Sequence, residues 1–481
     1  MEPISRMPKV IKYVVDADLC IGCGACVPMC ESKSLAMCWN NYGLYEPRKI
    51  NNSCNGCDKC FKICPFSSGL GSSSVFDNEN TIADELFDGQ YQFKSNIIGQ
   101  YTFLYAGYSY CYRQSSSSGG IATWMLAKLL EKKIVDYVCT VVPNENGTSP
   151  FFQYKVLSKI DNLKFASKTR YYPVHIADVI DIILTKPGNY AVVALPCFIK
   201  ALRLAQKNNL VLKERIKFIV GIICGGLKTA HYTEYLGRLA GVDCQNISYP
   251  EYRIKNPDSS AGDYSFGCND VSQDKLFLLK MRQVGDMWGT GFFKPNACDY
   301  CDDLSAELAD LSVGDAWIKP YNKDGKGTNI IISRSKLSEE IILDGLHRRE
   351  IILFEEEEKN IIQSQKGNYN HRRVGLRFRL YWAKKSGLQV PVKRVLPVKP
   401  YNPILSRLHK ARMRVRKKSQ ESWLLQREIK GLSIFKSEIE HELSGLKKLT
   451  FYLSLMRVSN WPSMALSIPK KLMRLIAGKF S

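Results

Sequence analysis

Two cysteine runs of one pattern follow each other near the start of the chain, and nothing else in its 481 residues restricts the fold as tightly. The first is Cys20-Ile21-Gly22-Cys23-Gly24-Ala25-Cys26-Val27-Pro28-Met29-Cys30. The second is Cys54-Asn55-Gly56-Cys57-Asp58-Lys59-Cys60-Phe61-Lys62-Ile63-Cys64, followed by Pro65. Each reads C-x2-C-x2-C-x3-C, the spacing by which a short loop wraps three thiolates around one face of a 4Fe-4S cube and sends the fourth elsewhere. A chain curling that close to metal-bound sulfur has little room for Cβ atoms, which accounts for Gly22, Gly24 and Gly56. Zinc sites separate two C-x2-C pairs by a long spacer, so a third cysteine at x2 and a fourth at x3, given twice, overshoots a tetrahedral ion. Disulfides would need an oxidising compartment.

The two runs resemble a bacterial-type dicluster ferredoxin domain, with Glu31 where a proline often follows the first run and Pro65 in its usual place after the second. The resemblance implies that the fourth ligands are exchanged, with Cys20, Cys23, Cys26 and Cys64 on one cluster and Cys54, Cys57, Cys60 and Cys30 on the other. Such a module, a small α+β fold over residues 1–70, leaves most of the chain unexplained. At 45% hydrophobic composition, the remainder can bury a large core of its own. The first residues are broken by Pro3, Arg6, Pro8 and Lys9 before any useful apolar run, and no stretch of about 18 apolar residues follows. These features, with 17 cysteines to keep as thiols, point to a cytoplasmic protein or one peripheral at a membrane. The net charge of +22 is unevenly spread: His371 to Ser481 holds 26 Lys and Arg against 5 Asp and Glu, and the rest of the chain is near neutral.

After Pro65, Ser67 to Ser74 reads as a linker, placing a boundary near residue 70. Gln114 to Gly120 then runs into an amphipathic helical pattern over Ile121 to Lys133. A glycine pair opening a helix fits an anion cradle and fits equally well a serine N-cap with flexible glycines. Tyr190 to Leu195 and Ile216 to Ile223 are continuous apolar runs, each followed by a helical pattern, as expected of parallel strands buried on both faces. Ligands in such sheets bind beyond the carboxyl ends of the strands, which is where Cys197 and Cys224 fall. Cys298 and Cys301 add a C-x2-C pair. Spacing alone leaves these four open between a third cluster and buried structural thiols. Cys38, Cys111, Cys139, Cys244 and Cys268 read as structural thiols.

The motifs Ser118-Gly119-Gly120-Ile121-Ala122-Thr123, Thr169-Arg170-Tyr171, Leu195-Pro196-Cys197, Ile223-Cys224-Gly225-Gly226 and Cys298-x2-Cys301 with Ala309 to Asp315 occur in an order that resembles the coenzyme F420 hydrogenase/dehydrogenase beta-subunit family. With the ferredoxin part, the likeness spans roughly Asp18 to Ile332. It implies an α/β core domain with a parallel sheet over residues 71–370. It further implies a third 4Fe-4S cluster on Cys197, Cys224, Cys298 and Cys301, and FAD held by Ser118, Gly119, Gly120, Thr123, Thr169, Arg170 and Asp315. Arg170 stands where the family often has lysine and keeps the charge. The function implied is an iron–sulfur flavoprotein oxidoreductase that exchanges one-electron traffic with a low-potential donor or acceptor protein and two electrons with an organic small molecule. The alternative is an electron-transfer subunit that serves a partner protein and has no substrate site of its own.

Residues 371–481 match nothing nameable and read as a basic, helical C-terminal extension. Ile404, Leu408, Ala411 and Val415 form one apolar stripe among basic residues, and Leu425, Ile429, Leu432, Ile439, Leu443 and Leu446 another at near-heptad spacing. A basic amphipathic helix fits an anionic membrane surface and fits equally a solvated face packed on the body. Nucleic acid is disfavoured, because no aromatic platform is interleaved with the charges.

Overall fold

The computed structural model describes residues 6–71, 78–427 and 432–459. Its centre is an eight-stranded sheet of β1 (Phe103–Ser109), β2 (Tyr137–Pro143), β3 (Phe152–Leu157), β4 (Tyr190–Ala194), β5 (Ile216–Ile222), β6 (Leu311–Asp315), β7 (Asn329–Ser333) and β8 (Ile351–Glu355). The spatial order is β8-β1-β7-β6-β5-β4-β2-β3. β2, β4, β5 and β6 run parallel, while β3 at one side and β7, β1 and β8 at the other pair antiparallel. The sheet is therefore mixed, and the parallel sheet expected from the apolar runs is only its middle. Those runs are continuous because successive residues feed two cores. Val138, Ala191, Phe218 and Val220 face the layer of α1 (Ile121–Glu131), whereas Cys139, Val192 and Ile219 face α2 (Pro196–Asn208). Pro196 sits in the first turn of α2, where its missing N–H costs nothing.

The ferredoxin segment does not stand apart. A hairpin of Leu35–Trp39 and Tyr45–Lys49 and a short turn of helix, Lys59–Lys62, carry the cysteine loops. Val14, Leu19, Phe61 and Phe66 belong to the same apolar core as Ile180, Phe198 and Leu202. The linker expected at Ser67 to Ser74 is corrected over its first half: Ser67 is buried with its hydroxyl donating to the Cys64 carbonyl, and Leu70 is 1% exposed. Ser72 to Ser74 lie outside the described residues.

The C-terminal region is helical, but it is part of the body. α3 (Ala230–Ala240), α5 (Pro403–Gln426) and α6 (Leu432–Ser459) close over a three-stranded antiparallel sheet of Ile247–Lys255, Tyr264–Asp270 and Lys275–Lys280. α4 (Leu376–Lys385) packs into the ferredoxin-side core through Leu376 and Leu380. The stripe Leu408, Ala411, Val415 is buried as its spacing requires, as are Ile439 and Leu446, while Leu425 is exposed and Ile429 lies outside the described residues. Trp423 is fully buried between Tyr235, Phe293 and Phe435, and its indole N–H donates to Glu234 on α3. The Trp423→Ala variant is expected to lose about 3–5 kcal/mol of stability in urea unfolding. An unchanged midpoint would mean that the helical hairpin is not packed as described.

Candidate functional site

The thiols fall into three groups. Burial raises the Cys60 thiol to about 11, and its nearest charged neighbours include Cys30, Cys57 and Cys54. Burial likewise drives Cys64 and Cys26 well above a free thiol, with Cys23 and Cys20 adding repulsion to both. Cys30 thus lies near Cys60 of the second run, and Cys64 near Cys20 and Cys23 of the first. Gly22 and Gly24 take φ of +70° and +80°, the left-handed conformation that the tight loop needs.

The third group is assembled from separate elements. Cys197 opens α2 just after β4, Cys224 lies two residues beyond β5, and Cys298 and Cys301 lie on and just after the short helical turn Asn296–Tyr300. Burial raises Cys197 most, and Cys301, Cys224 and Cys298 then oppose its ionisation, followed by Cys23 of the ferredoxin segment. Cys224 is raised to about 12 for the same first reason. Cys298 and Cys301 are buried and Cys197 and Cys224 half-buried, and four thiols brought together in this way have the chemistry of a metal-ligand set. Among the described residues no group of three or more His, Cys, Asp or Glu closes tightly enough for a single metal ion. Cys139 and Cys268 are fully buried structural thiols, whereas Cys111 is exposed.

A cavity of about 380 Å³ opens beyond the carboxyl ends of the parallel strands, with Thr140, Ala194, Ile222 and Asp315 at its rim. Cys224, Gly225 and Gly226 form part of its wall, so it adjoins the third cysteine group. Ser118, Gly120, Thr123, Thr169, Arg170 and Asp315 all line it. Gly119 does not. It lies against the sheet, where a Cβ would meet the Gly107 carbonyl oxygen at 2.6 Å and the Asn329 amide at 2.8 Å, so close packing requires a glycine there. Gly120 has φ +82° and a Cβ there would approach the Tyr112 carbonyl carbon to 2.6 Å, which makes it a backbone requirement as well as a wall residue. The Ile121 amide is already taken by the Asn329 side chain at 3.2 Å.

The cavity also holds groups in need of partners. The Arg170 guanidinium stacks on Phe152 at 4.9 Å, burial lowers its pKa to about 10, and its Nε is buried without an acceptor. The Ser116 hydroxyl is likewise unpartnered. A desolvated guanidinium with a spare N–H is an anion site, and a diphosphate meets it with the right chemistry. Residues that no motif flagged complete the wall: Lys228, Arg253, Tyr264 and Trp288. Arg253 pairs with Asp315 at 2.6 Å. Lys228 is 1% exposed, donates to the carbonyls of Met287 and Phe292, and is pushed well below an ordinary lysine by burial and then by Lys294. A lone lysine, arginine or tryptophan carries no spacing signal, so only the fold could find them.

Residues 104–181 match the N-terminal part, and residues 188–359 the C-terminal part, of the coenzyme F420 hydrogenase/dehydrogenase beta subunit. The chain belongs to that family. Residues 13–34 match a 4Fe-4S binding domain, so this member carries iron–sulfur ligation at its N-terminal side. An F(420)H(2) dehydrogenase subunit from Methanosarcina mazei is 23% identical over 383 residues, covering 76% of this chain and 94% of that one. The coenzyme F420-dependent sulfite reductase of Methanocaldococcus jannaschii is 25% identical over 371 residues, 73% of this chain but 49% of that protein. The coenzyme F420 hydrogenase subunit beta of Methanothermobacter thermautotrophicus is 24% identical over 226 residues, 45% of this chain and 74% of that one. The family is one of oxidoreductase components.

The grouping of thiols generates a direct expectation. Anaerobically purified protein should contain about 12 irons per chain, four for each of three cubes, and Cys301→Ser should bring this to about 8, with Cys244→Ser as an unchanged control. About 8 irons in the parent would restrict the clusters to the ferredoxin segment.

Proposed function

We propose that this chain is an iron–sulfur flavoprotein oxidoreductase that passes electrons between a carrier protein and an organic two-electron substrate. One observation carries the reading: Cys224 belongs both to the wall of the strand-end cavity and to a four-cysteine group that adjoins Cys23 of the ferredoxin segment. Cys54, Cys57, Cys60 and Cys30 would hold the cluster nearest the surface, where Cys57 is exposed. Cys20, Cys23, Cys26 and Cys64 would hold the second, and Cys197, Cys224, Cys298 and Cys301 the third. FAD, when bound in the cavity, supplies the exchange between one-electron and two-electron transfer. Arg170, with its unpartnered Nε, and the backbone at Ala122 and Thr123 would bind the diphosphate, with Ser118 and Thr169 beside them. Trp288 and Tyr264 offer aromatic walls, and Arg253 holds Asp315 in place at the rim. The relatives are named for coenzyme F420, which makes that coenzyme the first two-electron partner to assay.

A second reading is favoured by the names of two relatives, each called a subunit. In that case the cavity's electrons pass to or from a partner protein rather than a free substrate. Turnover of the isolated chain with a low-potential donor and coenzyme F420 separates the two, since only the first reading sustains it. A peripheral contact with an anionic surface is a further part of the proposal, resting on the exposed stripe Arg407, Lys410, Arg414 and Lys417 of α5. Among the described residues no helix is long and apolar enough to cross a membrane.

The flavin part is tested by Arg170→Gln. Flavin content should fall several-fold while iron stays at the parent's level. A substitution at Gly120 would not test the same point, because it would break the backbone whether or not phosphate binds. Flavin retained in full by Arg170→Gln would remove the assignment of that side chain, and a parent free of flavin under anaerobic purification would remove FAD.

A further inference from the structure

The Arg372 guanidinium is almost fully buried and lies in the C-terminal segment, beyond residues 188–359 that match the family. Its terminal nitrogen donates to the Cys224 carbonyl at 2.6 Å. Among the described residues it forms no ion pair, and its Nε is buried without a hydrogen-bond acceptor. Its basic neighbours differ: Arg373 pairs with Glu307 at 3.3 Å, Arg394 with Glu307 at 2.6 Å and Arg416 with Asp299 at 2.9 Å. A buried cation without a paired carboxylate is costly unless some other negative charge faces it. The residue it does contact, Cys224, belongs to the four-cysteine group at the strand ends.

From this arrangement we propose that Arg372 is a positioning and tuning residue for the third cluster, the buried positive charge that makes that cluster the electron sink between the ferredoxin segment and the cavity. The inference rests on the third cluster of the proposed function. Reduction moves one electron from the Cys20, Cys23, Cys26, Cys64 cluster, which is oxidised, to the Cys197, Cys224, Cys298, Cys301 cluster, which gains one negative charge. A fixed cation stabilises the more negative state and so raises the potential, and in a dry site the effect is poorly screened. The C-terminal segment would thus add to the family's core a part that sets the potential of the relay.

The test is a redox titration of the full-length, iron-loaded protein followed by electron paramagnetic resonance, in the parent, Arg372→Lys and Arg372→Gln. The third cluster's signal is identified as the one missing from Cys301→Ser. At the potential where the parent's third cluster is half reduced, Arg372→Gln should show a reduced-to-oxidised ratio lower by about tenfold, equivalent to about 59 mV for one electron. The ferredoxin clusters should titrate as in the parent, and Arg372→Lys should fall between, since it keeps the charge but loses the planar fork. Coincident third-cluster titrations in Arg372→Gln and the parent would overturn the proposal, as would an equal shift of all clusters. If Arg372→Gln sheds the third cluster's iron, Arg372→Lys decides: a potential below the parent's supports the role and an identical one rejects it. A parent holding only about 8 irons would instead remove the third cluster itself.

Discussion

The structure depends on charge compensation in one buried loop. Asp299, Asp302, Asp303 and Glu307 are each at most 3% exposed, within the segment that also supplies Cys298 and Cys301. Leaving such carboxylates uncompensated would cost several kcal/mol per ion even after relaxation. The countercharges come mainly from the C-terminal region: Arg416 for Asp299, Lys393 and Arg394 for Asp302, and Arg373 and Arg394 for Glu307. Lys294, from the loop itself, also reaches Asp299 at 2.5 Å. Burial works against the Asp302 charge, yet Lys393 and Arg394 hold its carboxyl below the ordinary range. Asp303, whose burial is reinforced by repulsion from Glu307, is instead raised to about 7.

This compensation fixes the position of the cysteine pair. Arg379 donates to the Asp299 carbonyl, and the Cys224 amide donates to the Leu304 carbonyl, so the loop is tied to α4 on one side and to the end of β5 on the other. Cys298 and Cys301 thereby meet Cys197 and Cys224, the two thiols that the parallel strands carry to their carboxyl ends. The same strand ends open the cavity, so the cysteine group and the cavity share a wall by construction. On the opposite side, the ferredoxin segment is joined to α2 through a common apolar core, which brings Cys23 beside Cys197.

Much of this was legible in the sequence, and what was not has identifiable causes. The iron–sulfur segment was legible because the cysteine spacing is local, three to a loop, and the loop's steric demands appear as glycines. Cys197 and Cys224 were readable because continuous apolar runs mark strands buried on both faces, and the position after such a strand has geometric meaning. The antiparallel flanks were missed because β7 and β8 are also short apolar runs, and a run alone does not state its direction. The packing of Gly119 against the sheet left no sequence signal, because a helix-start glycine looks alike whether it admits a phosphate or the edge of the sheet. The largest misreading was the charge. Basic residues from His371 onward separate from the acidic ones along the chain but not in space, and composition cannot see that Arg373, Arg379, Arg394 and Arg416 turn inward while Arg407, Lys410, Arg414 and Lys417 face outward. Lys228 and Trp288 left no pattern at all.

The central claim is that the four-cysteine group at the strand ends lies on the path between the ferredoxin segment and the cavity. Rapid mixing of oxidised protein with a reduced low-potential donor, followed by absorbance, tests it most directly. In the parent, bleaching of the iron–sulfur chromophores should be followed closely by flavin reduction; in Cys301→Ser the ferredoxin bleaching should keep its rate while flavin reduction slows by at least tenfold. Flavin reduction at the parental rate in Cys301→Ser would contradict the account, because electrons would then reach the cavity without passing that group.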